Sequence, residues 1–354
     1  ASGAISGVTT LTISNAGGTA TLSGDVDVTT LAVGNTVANL AFTGNGSTVT
    51  NDIDFANDGT LTLGTSGGTQ TYNGGLDTSG VGSTVTLNGT IATSNDAVTF
   101  GAVTLGSATT IDTNASNTTG DIAIGAVTGG SNNLTLTTGD NVANSDITAS
   151  GAISGLGNLT LADVGGTATF SANVAAAALS ADSTVANLVF TGASNTFSAA
   201  STLANDGTLQ FGDATGDSFT FNGGLTTSDV GGTVTLNTSI STSNDALVFG
   251  AITLGNNITL DTNATNTTGD LTIGAVTGGS NTLTLTTENN IANADITASG
   301  NISGVTTLTL TSVGGTATFA GDVDVTTLTI GNTVANVAIC LLYTTPSPRD
   351  VEEG

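Results

Sequence analysis

The chain lacks most of the side chains on which enzymes and nucleic-acid-binding proteins depend. Its 354 residues include no His, Met or Trp, one Cys, two Pro, and one basic residue against 27 acidic ones, for a formal net charge of −26. Without His and with one Cys, the usual zinc and iron sites and any His-dependent catalytic triad are excluded. One basic residue cannot neutralise a phosphate backbone or an anionic membrane surface. We therefore expect no binding to nucleic acid and no insertion of this segment into a membrane.

Short runs that alternate apolar and polar residues fill most of the sequence. Residues 60–63 (TLTL) and 84–87 (TVTL) are typical, and similar runs return at steps that scatter around 25 residues. Gly, Asn, Asp and Ser interrupt them, as in residues 57–59 (NDG) and 129–132 (GGSN). Alternation with period two indicates half-buried strands, and these interrupting residues favour turns. No window has the spacing of an amphipathic helix, so we expect essentially no helix.

A much longer repeat is superimposed on these runs. The phrase ASGxISG begins at Ala1, Ala149 and Ala298, so its periods are 148 and 149 residues. Internal phrases keep the offset, and residues 125–132 (GAVTGGSN) return unchanged at 274–281. Self-similarity of this kind is typical of repeat architectures. The sequence therefore predicts a first repeat copy at 1–148, a second at 149–297 and a partial third at 298–339.

The final segment, residues 340–354, differs from everything before it. Residues 340–350 (CLLYTTPSPRD) hold the only Cys, both Pro and the only basic residue of the chain. This run resembles the conceptual translation of a transposase adapter used in sequencing libraries, with one substitution. We therefore interpret 340–354 as a non-native tail, and the chain as an internal, metagenomic fragment of a longer protein. A natural C-terminal tail is the alternative.

Short strands at this interval favour an all-β fold, a parallel β-solenoid with coils of roughly 25 residues. One coil cannot bury its apolar face alone, so it stacks on its neighbours about 4.8 Å away. Residues 1–339 would form roughly fourteen coils on that spacing, with their few Phe residues placed singly. Turn asparagines could stack in ladders, with Asn57, Asn95, Asn117 and Asn132 as candidates. Tandem β-sandwiches and a disordered chain are the alternatives.

Three longer phrases resemble the repeats of a known class of proteins. Residues 314–331 (GGTATFAGDVDVTTLTIG), 231–260 and 268–287 resemble repeats of filamentous-haemagglutinin-like and autotransporter-type surface proteins of Gram-negative bacteria. The likeness implies a very long protein, exported and displayed on the outer membrane, whose β-solenoid stalk serves adhesion or biofilm formation. It also implies an extracellular, monomeric rod with host or biofilm surface ligands as partners. Export of an unfolded chain suits the absence of Cys from residues 1–339.

Two acidic pairs are candidate cation ligands. Asp25 and Asp27 lie on either side of a valine, as do Asp322 and Asp324 at the matching place of the third copy. Side chains at i and i+2 share one face of a strand, and carboxylates suit Ca²⁺, so these four residues are our candidate metal ligands. We expect no other cofactor. The second copy reads ANVA at residues 172–175. Those missing acids favour the alternative, a solvated acidic face.

Catalysis and ice binding have weaker support. Parallel β-helices host several polysaccharide-cleaving enzymes. Residues 1–339, however, contain no Lys, Arg or His to bind a substrate or stabilise charge. Pairs such as Thr60 with Thr62 and Thr135 with Thr137 could form the hydroxyl array of an ice-binding solenoid, although they follow no strict coil period. We therefore predict a non-catalytic structural segment. A Ca²⁺- or ice-binding module is the alternative, and a carbohydrate-active enzyme is a more distant one.

Overall fold

The computed structural model describes residues 1–116, 120–139, 142–265, 269–288 and 291–340. These residues form 38 β-strands and no helix, and the strands pair in parallel to make a β-solenoid of about 15 turns. The all-β solenoid predicted from the alternating runs is therefore confirmed. Cys340 still belongs to the stack, since its N–H donates to Phe319 O at 2.9 Å. The rest of the predicted tail, 341–354, lies outside the described residues.

The strands, numbered in chain order, have the following bounds. The first sixteen are β1 (Ile5–Ile13), β2 (Thr19–Leu22), β3 (Val26–Val33), β4 (Asn39–Phe42), β5 (Thr48–Val49), β6 (Ile53–Asp54), β7 (Leu61–Leu63), β8 (Thr69–Tyr72), β9 (Leu76–Asp77), β10 (Val85–Thr93), β11 (Val98–Phe100), β12 (Val103–Asp112), β13 (Ile122–Ile124), β14 (Val127–Thr128), β15 (Leu134–Thr137) and β16 (Ile147–Ala149). The next are β17 (Ile153–Ala162), β18 (Thr167–Phe170), β19 (Val174–Ala181), β20 (Asn187–Phe190), β21 (Ser194–Phe197), β22 (Ser201–Leu203), β23 (Leu209–Phe211), β24 (Ser218–Phe221), β25 (Leu225–Thr227), β26 (Val234–Leu236), β27 (Ile240–Ser241), β28 (Leu247–Phe249), β29 (Ile252–Leu254), β30 (Ile258–Asp261), β31 (Leu271–Ile273), β32 (Val276–Thr277), β33 (Thr282–Thr286) and β34 (Ile296–Ala298). The last are β35 (Ile302–Thr311), β36 (Thr316–Phe319), β37 (Val323–Ile330) and β38 (Asn336–Ile339).

The strand pairings form three parallel ladders that run along the rod. The first contains β6, β9, β11, β13, β16, β18, β20, β23, β26, β29, β32, β35 and β37. The second contains β2, β4, β7, β10, β12, β14, β17, β19, β21, β24, β27, β30, β33, β35 and β37. The third contains β1, β3, β5, β8, β10, β12, β15, β17, β19, β22, β25, β28, β31, β34, β36 and β38.

Long strands belong to two ladders because they turn a corner. In β10, residues 85–87 pair with β7 in the second ladder, and residues 90–93 pair with β8 in the third. Gly89 stands at the bend with a φ of +66°, and a Cβ there would lie 2.3 Å from Thr65 O. Only glycine combines that left-handed backbone with so close an approach. The bend therefore depends on this residue.

Coil length varies, and the average coil is shorter than the sequence suggested. In the second ladder Val85 pairs with Val103, whereas in the first ladder Val276 pairs with Ile302, which makes the later coil longer by almost half. Twelve steps carry the first ladder from Ile53 to Val323, so its average coil is about a tenth shorter than predicted. The steps vary because corner loops take up different numbers of residues while the strand positions stay in register.

The core lies between the three ladders and is filled by Leu, Ile, Val and Phe side chains with almost no exposure. Most of its aromatic residues are clustered, contrary to the expectation of single Phe residues. The rings of Phe170 and Phe190 stack at 4.9 Å between centroids, and those of Phe197 and Phe221 at 4.8 Å. Parallel ladders bring these pairs together because they align equivalent positions of successive coils.

Equivalent residues of the three copies lie in different ladders. Ile5 pairs with Val26 in the third ladder. Its counterparts Ile153 and Ile302 pair in the second and first ladders, with Val127 and Val276. One repeat copy therefore spans six and two-thirds coils. Each copy presents its outward residues on a different side of the rod from the copy before it.

The difference between the two periods comes from one loop. Five residues, 64–68, join β7 to β8, whereas six, 212–217, join the equivalent strands β23 and β24. The longer loop closes on itself, since a carboxylate oxygen of Asp217 accepts the N–H groups of Asp213 and Ala214 at 3.0 Å each. The extra residue thus lies in a corner, where it leaves the strand register unchanged.

Candidate functional site

One continuous surface feature is a row of small, mostly β-branched side chains on the third ladder. Each member pairs with the next, from coil to coil, and none is buried. The members are Thr69, Thr90, Thr110, Thr135, Thr160, Ser180, Thr202, Thr226, Val248, Thr272, Thr297, Thr318 and Ala338. At the usual strand spacing this threonine row is about 58 Å long. The uneven sequence spacing of these threonines does not prevent them from stacking.

The threonine row is one residue wide. The outward neighbours of Thr135 are Asn133 and Thr137, but those of Thr160 are Asn158 and Ala162. Farther along, Asp295 precedes Thr297 by two residues. The row therefore has amide and carboxylate side chains along one edge rather than a second row of threonine.

On more than one ladder, Asp and Asn side chains accept hydrogen bonds from the backbone of the next coil. Asp121 Oδ1 accepts the N–H of Asp146 at 2.9 Å, and Asp146 Oδ1 accepts that of Thr167 at 2.7 Å. The pattern returns in the second copy, where Asp270 binds Asp295 and Asp295 binds Thr316. The same contact is made by Asn39, Asn133, Asn173, Asn187, Asn244, Asn257 and Asn301. We call all of these residues the capping set, because the side-chain oxygen of each accepts a backbone N–H of the next coil, in most cases where a strand begins.

The predicted asparagine ladders form only in this modified sense. Asn95 Oδ1 accepts the N–H of Ser116 in the next coil at 2.6 Å. Asn132 Nδ2 donates to Leu105 O of the preceding coil at 2.9 Å, whereas Asn57 Nδ2 donates to Thr60 O within its own coil. Asn117 lies outside the described residues. The bonds run from amide to backbone, because backbone groups left free at the corners compete for the side chains.

Inside one corner, buried threonines make a second stack of hydrogen bonds. The hydroxyl of Thr113 donates to Gly120 O at 2.7 Å, and that of Thr138 donates to Asp163 O of the next coil at 2.8 Å. The second copy repeats this with Thr262 and Thr287, whose acceptors are Gly269 O and Ser312 O. Buried hydroxyls cost little when they are paired in this way.

The predicted cation ligands lie in two separate places. Asp25 is half-buried and Asp27 is exposed, and their Oδ1 atoms accept the N–H groups of Gly46 and Thr48 at 2.8 and 3.2 Å. Both carboxylates thus act as caps for the next coil. Asp322 and Asp324 are exposed in the first ladder, many coils away from the other pair. The described part of the chain contains no group of three or more His, Cys, Asp or Glu residues placed to hold a metal ion.

An acidic hollow on the first ladder was not foreseen from the sequence. Asp54 and Asp77 pair directly in adjacent coils, and Asp52 and Asp96 line the same hollow. Burial raises the pKa of Asp52, and the negative charge of Asp54 adds to the rise. Strand register creates this cluster, because it makes direct neighbours of residues that are one whole coil apart in the sequence. Knowledge of the coil length at this point would have been needed to find it.

One further carboxyl group has an altered proton affinity. Burial, opposed by the hydrogen bond from the N–H of Asn263 and reinforced by the charge of Glu288, raises the pKa of Asp261 to about 6. Asp261 lines a shallow groove with Asp217 and several serine and threonine hydroxyls. A general acid could work at that pKa, but residues 1–339 hold no basic side chain to act beside it.

Comparison with known proteins adds no further assignment. No protein family, curated protein or solved structure matches the chain. Among the described residues there is no helix of the length and apolarity that crossing a membrane would require.

Proposed function

We propose that this chain is a non-catalytic structural segment, a stalk, of a large exported bacterial surface adhesin. The observation that carries the proposal is the continuity of the ladders across the copy boundaries. At the first boundary β16 pairs with β13 and β18, and at the second β34 pairs with β31 and β36. Copies joined in this way build one rod that lengthens with copy number.

The surface chemistry supports a stalk. Most outward strand positions hold short hydroxyl side chains, and many acids and amides are bound to backbone as the capping set. The rod needs no disulfide, since residues 1–339 contain no Cys. A fold held by short-range caps and a continuous core suits a segment that folds after export.

Cell-surface display is part of the same proposal. The phrases that resemble surface-protein repeats support an outer-membrane-associated, extracellular location, with host or biofilm ligands as partners. The rotation between copies adds to this support, because each copy presents its outward residues on a new side of the rod. Equivalent outward residues of successive copies therefore face different directions around the stalk axis.

The length of the rod tests the structural part of the proposal. A variant in which an additional copy of residues 149–297 follows residue 297 should be longer by six and two-thirds coils, or about 32 Å at the usual strand spacing. Small-angle scattering on both proteins would measure the maximum dimension. A variant of unchanged length would contradict a continuous stalk.

Cell attachment tests the adhesin part. The chain would be displayed on a Gram-negative cell through an outer-membrane anchor, with a globular domain of equal mass as the control. We expect attachment to host cells or biofilm matrix to increase only with the stalk present. Equal attachment by both cell types would remove the adhesin role and leave only the rod.

The threonine row supports a second candidate, an ice-binding surface. Thirteen stacked positions, ten of them Thr, present hydroxyl and methyl groups at regular intervals. Ice-affinity partitioning of the chain would test it, with Thr110→Lys, Thr135→Lys and Thr160→Lys combined as the control. Uptake into ice that the triple variant loses would favour this candidate over the stalk. Exclusion of the unmodified chain from ice would remove it.

A further inference from the structure

At two equivalent places, buried polar side chains of the solenoid lack a hydrogen-bond partner. Within the described residues, four buried side-chain atoms have no hydrogen-bond partner: Asn57 Oδ1, Thr78 Oγ1, Asn205 Oδ1 and Thr227 Oγ1. None of the four residues is more than 1% exposed. Asn205 and Thr227 are the second-copy equivalents of Asn57 and Thr78. Recurrence in two copies shows that the exception belongs to the fold.

The two members of each pair lie in adjacent coils at the same corner. Asn57 follows β6, Thr78 follows β9, and those strands pair directly in the first ladder. The N–H of Gly82 donates to Asn57 O at 2.9 Å, which joins the corner of one coil to the corner of the next. In the second copy, the N–H of Gly231 donates to Asn205 O at 2.9 Å. An amide oxygen and a hydroxyl are therefore enclosed at the same corner.

The orientation of each amide is set by its other contacts. Asn57 Nδ2 donates to Thr60 O at 3.0 Å. Asn205 Nδ2 donates to Thr208 O at 3.0 Å and lies 3.2 Å from Gly207 O. If Oδ1 and Nδ2 of either Asn were exchanged, its Oδ1 would face the carbonyl oxygen of Thr60 or Thr208. Each Oδ1 is thus a buried acceptor, and its complement is a hydrogen-bond donor.

Large core side chains flank each threonine in the adjacent coils. Strand register places Thr78 between Phe55 in the coil below and Phe100 in the coil above. Thr227 lies in the same way between Leu203 and Phe249. A threonine side chain is much smaller than either neighbour, so it fills less of the core than the residues above and below it. Buried polar atoms without a protein partner are the usual ligands of internal water molecules.

We propose that each corner binds one internal water molecule, which donates a hydrogen bond to the Asn Oδ1 and accepts one from the Thr hydroxyl. The first site is formed by Asn57 and Thr78, and the second by Asn205 and Thr227. The other buried threonines need no such ligand, because Thr113 and Thr138 donate directly to carbonyl oxygens. The water completes the hydrogen bonding of the core at the two places where the protein does not.

The test uses the second site as the control for the first. Long-lived internal water gives nuclear Overhauser contacts to nearby amides, and we expect these at Val81 and Gly82 and at Val230 and Gly231. Thr78→Val should abolish the first set and leave the second. It should also speed hydrogen exchange of the Gly82 amide about tenfold, because the water loses the hydroxyl that donates to it and Asn57 Oδ1 then loses the water.

A second variant separates loss of the water from loss of packing. Thr78→Ser keeps the hydroxyl and should keep the water contacts at the first site. Absence of long-lived water contacts in the unmodified chain would overturn the proposal. Slower exchange of the Gly82 amide in Thr78→Val would also overturn it. That result would mean that the Thr78 hydroxyl has no partner, because replacing an unpaired buried hydroxyl with a methyl group stabilises the protein.

Discussion

Tyr72 and Gln70 form a buried hydrogen-bonded pair that the second copy replaces with two phenylalanines. The Tyr72 hydroxyl donates to Gln70 Oε1 at 2.9 Å, and Gln70 Nε2 donates to Phe42 O at 2.8 Å. Both side chains are 0% exposed. Their equivalents are Phe219 and Phe221, whose rings pack within the aromatic cluster. The chain thus contains a polar and an apolar solution to the same packing position.

We predict that Tyr72→Phe destabilises the protein by about 1–3 kcal/mol. The ring is retained, so the loss comes from Gln70 Oε1, a buried acceptor left without a donor. Removing the partner as well should recover most of this loss. Gln70→Leu combined with Tyr72→Phe leaves no unpaired side-chain atom, and Phe42 O keeps its bond from the N–H of Gly64 at 3.0 Å. The two changes should therefore couple by about 1–2 kcal/mol.

Urea denaturation followed by circular dichroism measures these differences, provided that the slope with denaturant stays constant among variants. Phe221→Tyr serves as the matched control, because it buries a hydroxyl beside Phe219 with no acceptor provided. We expect it to cost a similar amount. A Tyr72→Phe variant as stable as the unmodified chain, or a double variant no better than Tyr72→Phe alone, would refute the reasoning.

Three further predictions concern charge, capping and the corners. The pKa of Asp261 is raised to about 6, so between about pH 4 and 6 the folded protein keeps a proton that the unfolded chain has released. Stability should therefore fall as pH rises from about 4 to 6 and then level off. Asp261→Asn should remove roughly 1 kcal/mol of that loss of stability, a value reduced for solvent screening. An identical pH profile of urea midpoints in both proteins would contradict this prediction. Asp146→Ala should cost about 1 kcal/mol and speed hydrogen exchange at the Thr167 amide, which loses its acceptor; unchanged exchange there would count against the capping role. Gly89→Ala should lower the melting temperature by several degrees, because a Cβ would lie 2.3 Å from Thr65 O, and an unchanged melting curve would show that the bend does not need glycine.

The candidate site shows where inference from the sequence was successful and where it was not. The acids Asp25 and Asp27 were identified from the sequence as a pair on one strand face, and the structure places Asp27 in β3 and Asp25 one residue before it. Their bonds to Gly46 and Thr48 could not be foreseen, because those partners lie one coil away and the length of that coil was unknown. A stacked hydroxyl array had weak support from the sequence because the Thr-x-Thr pairs follow no strict coil period, yet corner loops of variable length let threonines at uneven spacings stack in one row.

The sequence alone determined the class of fold. Alternation with period two, turn residues at the interruptions and the absence of Pro from residues 1–339 favour stacked parallel strands over tandem β-sandwiches or a disordered chain. The two long repeat periods predict that the stack continues from copy to copy. These features are local, so they can be recognised without knowing which coil lies above which.

Only the tertiary structure decided which residues become neighbours. The coil that ends at Val103 is much shorter than the coil that ends at Ile302, and such differences set the register. One step of register moves every contact of a side chain to a different partner. The register clusters Phe190 with Phe170, stacks Asp54 on Asp77, and turns each repeat copy to a new side of the rod. The physical reason is that corner loops can gain or lose residues at little cost, while the ladder hydrogen bonds and the core fix the strands.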